Sequence, residues 1–275
     1  MGLELDLDCV IYGDCLQYMR TLPDDCVDLV VTSPPYAEQR TDTYGGISED
    51  EYVDWFENIG KEISRILKLS GSFVLNIKEH VRNGCRSTYV FETVLRLSRV
   101  LQWRDTFIWN KSNPFPTGSK KRLKDGFEYC FWFTKTNQYK FFPNEVLVKS
   151  DSKWIASELQ RKNKGEHPVK NGSGLNMSRR YVSDMVRPSN VLTLAVDTTN
   201  HLHPATFPIG LPEFFIKLMS ESGDLVFDPF AGSGTTLLAA KQLGRRYLGC
   251  DVKVEYVDIA RKRAGENENG TISQK

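Results

Sequence analysis

The chain has 275 residues, 40% hydrophobic and 26% charged, with 15 Phe, 11 Tyr and 5 Trp. That composition excludes a disordered or low-complexity chain and suits one large domain, or a domain with an insertion. No apolar run approaches the roughly 20 residues that span a bilayer, and the start, MGLELDLDCV, lacks the basic end and apolar core of a signal peptide. A cytoplasmic protein without membrane contact is expected. The net charge of +1 hides an asymmetry: residues 106–190 hold 16 Lys and Arg against 7 Asp and Glu, while the remainder holds 20 against 28. A basic stretch in an otherwise acidic chain suits a polyanion-binding surface, and a lysine-rich solvated loop equally; charge alone leaves both open. The 6 cysteines (Cys9, Cys15, Cys26, Cys85, Cys130, Cys250) form no CxxC pair, which argues against a zinc site or a disulfide framework.

Taken in order, DCVIYGD reads as a strand, CLQYMRTLPDD as a helix and DLVV as a strand buried on both faces. Residues 49–69 carry Tyr52, Phe56, Ile59, Ile63, Ile66 and Leu67 at helical spacing, with Ser70-Gly71 expected to end the helix before the strand SFVLNI. A helix near 87–100 and the strand WRDTFIW follow. From about Lys111 to Asn200 periodicity fails, apart from an expected strand pair around FEYCFWFTKTNQYKFF. Order returns with the helix LPEFFIKLMSES, the strand DLVFD, a Gly-rich turn, the helix TTLLAAKQLG and the strand RRYLGCD. Alternating strands and helices predict an α/β fold: a Rossmann-like, mostly parallel sheet with helices on both faces and an irregular inserted region.

Two motifs carry chemistry. In Asp228-Pro229-Phe230-Ala231-Gly232-Ser233-Gly234-Thr235-Thr236, between a strand and a helix, glycines allow close backbone approach and the helix start offers N–H groups to an anion. Asp251, 17 residues beyond Gly234, ends the next strand, where a carboxylate can accept ribose hydroxyls. The motif is neither G-x-G-x-x-G nor a P-loop, which disfavours dinucleotides and triphosphates. The second motif, Thr32-Ser33-Pro34-Pro35-Tyr36, follows DLVV. Its prolines stiffen the loop, leaving the Ser33 hydroxyl and the Pro34 carbonyl as acceptors beside an aromatic face. Taken alone, it could be a plain turn.

Together, TSPPY and DPFAGSGTT resemble the catalytic and cofactor loops of the DNA amino-methyltransferases, which use S-adenosyl-L-methionine. The order, catalytic loop first, is similar to the permuted β class. The likeness extends to GDCLQYMRTLP, HPATFPIGLPEFF and GRRYLGCDV with Tyr256, Ala260 and Arg263, and covers all but about 140–195. It implies that Ser33, Pro34, Pro35 and Tyr36 are catalytic. Asp14 would accept from the cofactor's adenine and Phe207 would line its pocket. Asp228 to Thr236 would hold its methionine portion, and Asp251 its ribose. It also implies a core of 1–110 and 201–264, with a target-recognition region at 111–200 and a flexible tail at 265–275. Double-stranded DNA is the expected partner, contacted by Lys111, Lys120, Lys121, Arg122, Arg179 and Arg180. A cognate restriction endonuclease is a second candidate partner, and the oligomeric state is open. His201 and His203 lack further ligands, so no metal is expected.

An extrahelical base is required, since the amino nitrogen is unreachable in a duplex. Carbon-5 methylation needs a cysteine, preceded by proline in that family, and none of the 6 here follows one. Ser33, where adenine enzymes mostly carry Asp, favours N4-methylcytosine over N6-methyladenine. RNA or protein N-methyltransferases are the next alternative, although their loops typically begin with Asn.

Overall fold

The computed structural model describes residues 5–38, 46–115, 121–150, 156–157, 160, 184–196 and 207–265. Two units are distinguished, 143–189 and the rest of the chain.

The larger unit is built on an eight-stranded sheet: β1 (Cys9–Tyr12), β2 (Val27–Thr32), β3 (Leu67–Ile77), β6 (Gln102–Lys111), β7 (Phe127–Thr134), β10 (Val191–Leu194), β11 (Leu225–Asp228) and β12 (Arg246–Asp251). The order is β1-β12-β11-β2-β3-β7-β6-β10, parallel throughout except for β7. A small hairpin, β4 (Val81–Arg82) with β5 (Cys85–Arg86), stands apart. The DLVV segment is buried at every position of β2, as a central parallel strand requires.

Among the described residues six helices cover the sheet: α1 (Cys15–Met19), α2 (Glu49–Ile66), α3 (Tyr89–Leu97), α4 (Gly210–Met219), α5 (Thr235–Gln242) and α6 (Val254–Ala264). They form two layers, α1, α2 and α3 packing together and α4, α5 and α6 together. The start of α2 is fixed by its N-cap: Ser48 Oγ accepts from Glu51 N at 3.3 Å and donates to the Glu51 carboxylate at 2.7 Å. One face of that helix, Tyr52, Phe56, Ile59, Ile63 and Ile66, is completely buried.

Two expectations are corrected here. Ser70-Gly71 does not end α2, which passes directly into β3 at Leu67. Gly71 lies inside the strand instead, where a Cβ would meet Leu67 Cδ2 at 2.9 Å and Lys68 O at 3.0 Å on the same strand and Asp28 O on β2 at 3.2 Å, so a side chain there would be crowded from both strands. Nor does FEYCFWFTKTNQYKFF form a strand pair. Only β7 is a strand, and both of its edges are already taken by β3 and β6. The returning residues lie on it through their rings, with Phe141 stacked at 5.4 Å and Tyr139 edge-on at 5.1 Å to Trp132. With β7 and β10, the core sheet therefore takes strands from the stretch read as irregular.

The smaller unit, 143–189, contains a 3₁₀ turn at Pro143–Val146 and a short antiparallel pair, β8 (Val148–Lys149) with β9 (Met185–Val186). Lys120, Arg179, Arg180, His201, His203 and the tail beyond 265 lie outside the described residues.

Candidate active site

Parallel strands place their carboxyl ends at one edge of the sheet, and the singled-out residues follow the ends of consecutive neighbours. Asp14 comes after β1, Asp251 ends β12, the 228–236 loop leaves β11 and the 32–36 loop leaves β2. Because β7 runs antiparallel, its first residues, Phe127 and Glu128, lie at this same edge.

The two loops are joined directly. Thr32 Oγ1 donates to Asp228 Oδ1 at 2.5 Å, the Phe230 amide donates to the same oxygen at 3.0 Å, and Thr236 Oγ1 reaches the Val31 carbonyl at 3.4 Å. Burial pushes the Asp228 carboxyl up to about 6, although these donors oppose the shift. Asp228 thus ties the 32–36 loop to the 228–236 loop.

Asp251 is also buried and its carboxyl raised by that burial. Its two oxygens take the Gly232 and Lys253 amides, each at 2.9 Å. Gly232 and Gly234 both have positive φ, 50° and 79°. At Gly234 a Cβ would lie 2.8 Å from Ala260 Cβ, so α6 packs where a side chain would be. Arg263 clamps the loop by donating to Ser233 O at 2.7 Å and Ser233 Oγ at 2.9 Å. No side chain caps α5, and its first turn holds no acidic residue. Phe230 packs against Trp55 at 5.7 Å and Phe56 at 6.5 Å, which fixes the loop to α2. Pro229 and Ala231 are buried, and Phe207 is partly buried. Asp14 is exposed and caps α1, accepting from Gln17 N at 2.9 Å, so any acceptance from an adenine would come on top of that.

In the 32–36 loop Pro34 is buried, while Ser33, Pro35 and Tyr36 are partly buried. Ser33 Oγ lies 3.5 Å from the Tyr36 hydroxyl, which donates to Glu128 Oε2 at 2.9 Å. Burial, and then the Glu128 charge, push the Tyr36 phenol well above its ordinary value. Lys111 Nζ holds the other Glu128 oxygen at 2.5 Å and lies 4.8 Å from the Trp109 ring. Lys111, expected as a DNA contact, therefore spends its charge inside the site; its side chain is only 14% exposed. Sequence reasoning missed Glu128, whose one signal was a charge within the aromatic run FEYCFWF.

Of the other expected DNA contacts, Lys121 is exposed, and Arg122 pairs with Asp125. Lys78 and Arg86 reach that carboxylate at 2.8 and 2.9 Å. Burial would raise it, but the ion pairs hold it at about 2. A further cluster escaped the sequence reading: His80 Nε2 lies 2.7 Å from Glu49 and 3.7 Å from Glu38, with Arg82 on Glu38 at 3.2 Å. Among the described residues no helix is long and apolar enough to cross a membrane.

This geometry can be set beside known proteins. The family model described as DNA methylase matches residues 27–262. The chain belongs to the DNA methylase family. Type II methyltransferase M.PvuII of Proteus hauseri is 32% identical over 279 residues, which cover 93% of this chain and 83% of that protein. Type II methyltransferase M.BglII of Bacillus subtilis is 30% identical, covering 92% of this chain and 68% of that one. The solved PvuII DNA methyltransferase, described as cytosine-N4-specific, superposes with a TM-score of 0.71 at 28% identity, over 95% of this chain and 87% of that one. The methylase chain described here is thus a DNA methyltransferase with the expected mixed, mostly parallel sheet.

Proposed function

We propose that this methylase transfers the methyl group of S-adenosyl-L-methionine to the exocyclic N4 of cytosine in a short duplex DNA site, with the base flipped out of the helix. The observation that carries this reading is the Thr32–Asp228 hydrogen bond, which joins an acceptor-rich loop to a glycine loop on the adjacent strand. The likeness to a cytosine-N4-specific enzyme over 95% of the chain supports the choice of base.

The residues fit the cofactor. The uncapped start of α5 can receive a carboxylate. Each Asp251 oxygen takes one backbone amide and has a second lone pair for a ribose hydroxyl. When bound, S-adenosyl-L-methionine supplies an electrophilic sulfonium methyl. The chain's own work is on the target amine, a poor nucleophile because its lone pair is delocalised into the ring. Accepting its two N–H groups at the Ser33 hydroxyl and the Pro34 carbonyl favours a tetrahedral nitrogen with a free lone pair, and holding it in place converts a bimolecular encounter into an oriented one. Tyr36 offers its ring to the flipped base.

The stretch 111–200 is proposed as the target-recognition region, with Lys120, Lys121, Arg122, Arg179 and Arg180 as DNA contacts; Lys111 is withdrawn from that set. The excess of basic residues supports this, and DNA affinity should fall steeply with salt. A cytoplasmic location and a cognate endonuclease complete the proposal. Mass spectrometry of nucleosides from duplex DNA treated with the enzyme tests the base. N4-methylcytosine is expected, and N6-methyladenine would replace the base assignment while leaving the site chemistry standing.

A further inference from the structure

Glu128 is a buried carboxylate, 8% exposed, between two aromatic residues on β7. Such a charge is costly unless partnered. Its partners are Lys111 on Oε1 and the Tyr36 hydroxyl on Oε2, so this buried pair ends on the catalytic loop.

Hydrogen-bond direction then follows from counting protons. A tyrosine hydroxyl has one proton, and Tyr36 gives it to Glu128. Toward Ser33 the Tyr36 oxygen can only accept, so across the 3.5 Å gap Ser33 must be the donor. Contacts of this kind are often long before substrate binds and tighten afterwards. With its proton turned toward Tyr36, Ser33 has lone pairs for the target amine. The opposite polarity would turn the Ser33 proton into the site, against an amino group that itself carries two N–H bonds.

We propose that Glu128, pinned by Lys111, is a positioning residue that sets the polarity of the Ser33 hydroxyl through Tyr36. This rests on the reading that Ser33 accepts from the target amine. The same polarity rules out donation of the Ser33 proton to the cytosine ring nitrogen.

Glu128→Gln tests it while keeping shape. The Lys111 ammonium takes the amide oxygen, the amide N–H₂ turns to Tyr36, and Tyr36 must then give its proton to Ser33. We expect kcat to fall about tenfold or more, with KM for DNA and the calorimetric Kd for S-adenosyl-L-methionine within about threefold of wild type. In a Tyr36→Phe background the same change should cost nothing further, whereas a merely structural role would cost equally in both backgrounds. An unchanged kcat in E128Q, or full additivity with Y36F, overturns the proposal. Should E128Q lose cofactor binding, Tyr36→Phe alone removes the relay to Ser33 while keeping the ring and the Glu128–Lys111 pair, and an unchanged kcat there overturns it equally. Ser33→Ala separates the two levels. If S33A turns over normally, the Ser33 reading fails and takes this inference with it; if S33A is inactive while E128Q is unaffected, only the inference falls.

Discussion

The loop at 228–236 and the loop at 32–36 leave neighbouring strands, yet they are held in different ways. The 228–236 loop is fixed mostly from nearby: positive-φ glycines at 232 and 234, the Asp251 carboxylate 19 residues on, and the Arg263 clamp 30 residues on. The 32–36 loop is fixed from far along the chain, Thr32 by Asp228 at a separation of 196 residues and Tyr36 by Glu128 at 92. The first arrangement resists change through backbone geometry, the second through side-chain hydrogen bonds. Substitutions in the first should therefore cost fold and cofactor together, while those in the second should cost turnover.

The largest effect that would sharpen this contrast is at Ser33. In Ser33→Ala, kcat should fall on the order of 10²–10³-fold, as when one preorganised hydrogen bond to a transition state is lost. Affinity for DNA and cofactor should hardly change, because the contact strengthens mainly as the amine becomes tetrahedral. Single-turnover methylation with parallel binding measurements reads both; a comparable loss of DNA affinity would make the loop a binding element instead.

Gly234→Val should act in the opposite way. A positive φ combined with a Cβ at 2.8 Å from Ala260 Cβ leaves the side chain no space. Strain and overpacking together should cost roughly 3–5 kcal/mol, seen as a lower melting temperature and lost cofactor binding. Asp251→Ala should weaken cofactor binding at a smaller cost to stability, because the loop glycines remain. A G234V protein that melts like wild type would break the comparison.

The same distinction explains what the sequence made legible. The α/β order, the buried run of β2 and the helical face of α2 are short-range patterns, and they read correctly. Gly71 misled because a glycine after a helical run reads as a stop, whereas here it sits inside a strand whose own Leu67 and Lys68, and Asp28 of the next strand, crowd the Cβ position. FEYCFWFTKTNQYKFF misled because nothing local says that both edges of β7 are occupied. Glu128 was invisible for a related reason: its meaning depends on Lys111 and Tyr36, which only the sheet brings together, and the same pairing turned an expected DNA contact inward.

A smaller effect concerns Asp228, whose carboxyl is held up at about 6 against an ordinary 3.8. Between those values the folded state binds more protons than the unfolded one, so stability falls as pH rises through the window and is flat above it. At 1.36 kcal/mol per pH unit the cost reaches about 3 kcal/mol. Asp228→Asn keeps an oxygen for Thr32 and Phe230 and has no charge to bury. The difference in melting temperature between variant and wild type should therefore grow in the variant's favour from pH 4 to pH 6. A pH-independent difference would mean that Asp228 is solvated in solution.

The smallest effect tests the link between the loops. Thr32→Val keeps the buried shape and removes only the hydroxyl that donates to Asp228. A single buried hydrogen bond to a charged group is worth about 1.5–3 kcal/mol, but Asp228 retains the Phe230 amide, and below pH 6 it is largely neutral. The expected loss is therefore nearer 1 kcal/mol at neutral pH and less at pH 5. If the bond makes the two loops one unit, Thr32→Val and Asp228→Ala, which removes the acceptor altogether, must be non-additive, with a coupling of about 1 kcal/mol in a double-mutant cycle. Turnover in Thr32→Val should drop severalfold while cofactor affinity stays put, because the displaced loop is the one carrying Ser33. Zero coupling, or equal losses in kcat and cofactor affinity, would show that the loops are held separately and that their adjacency comes from the sheet alone.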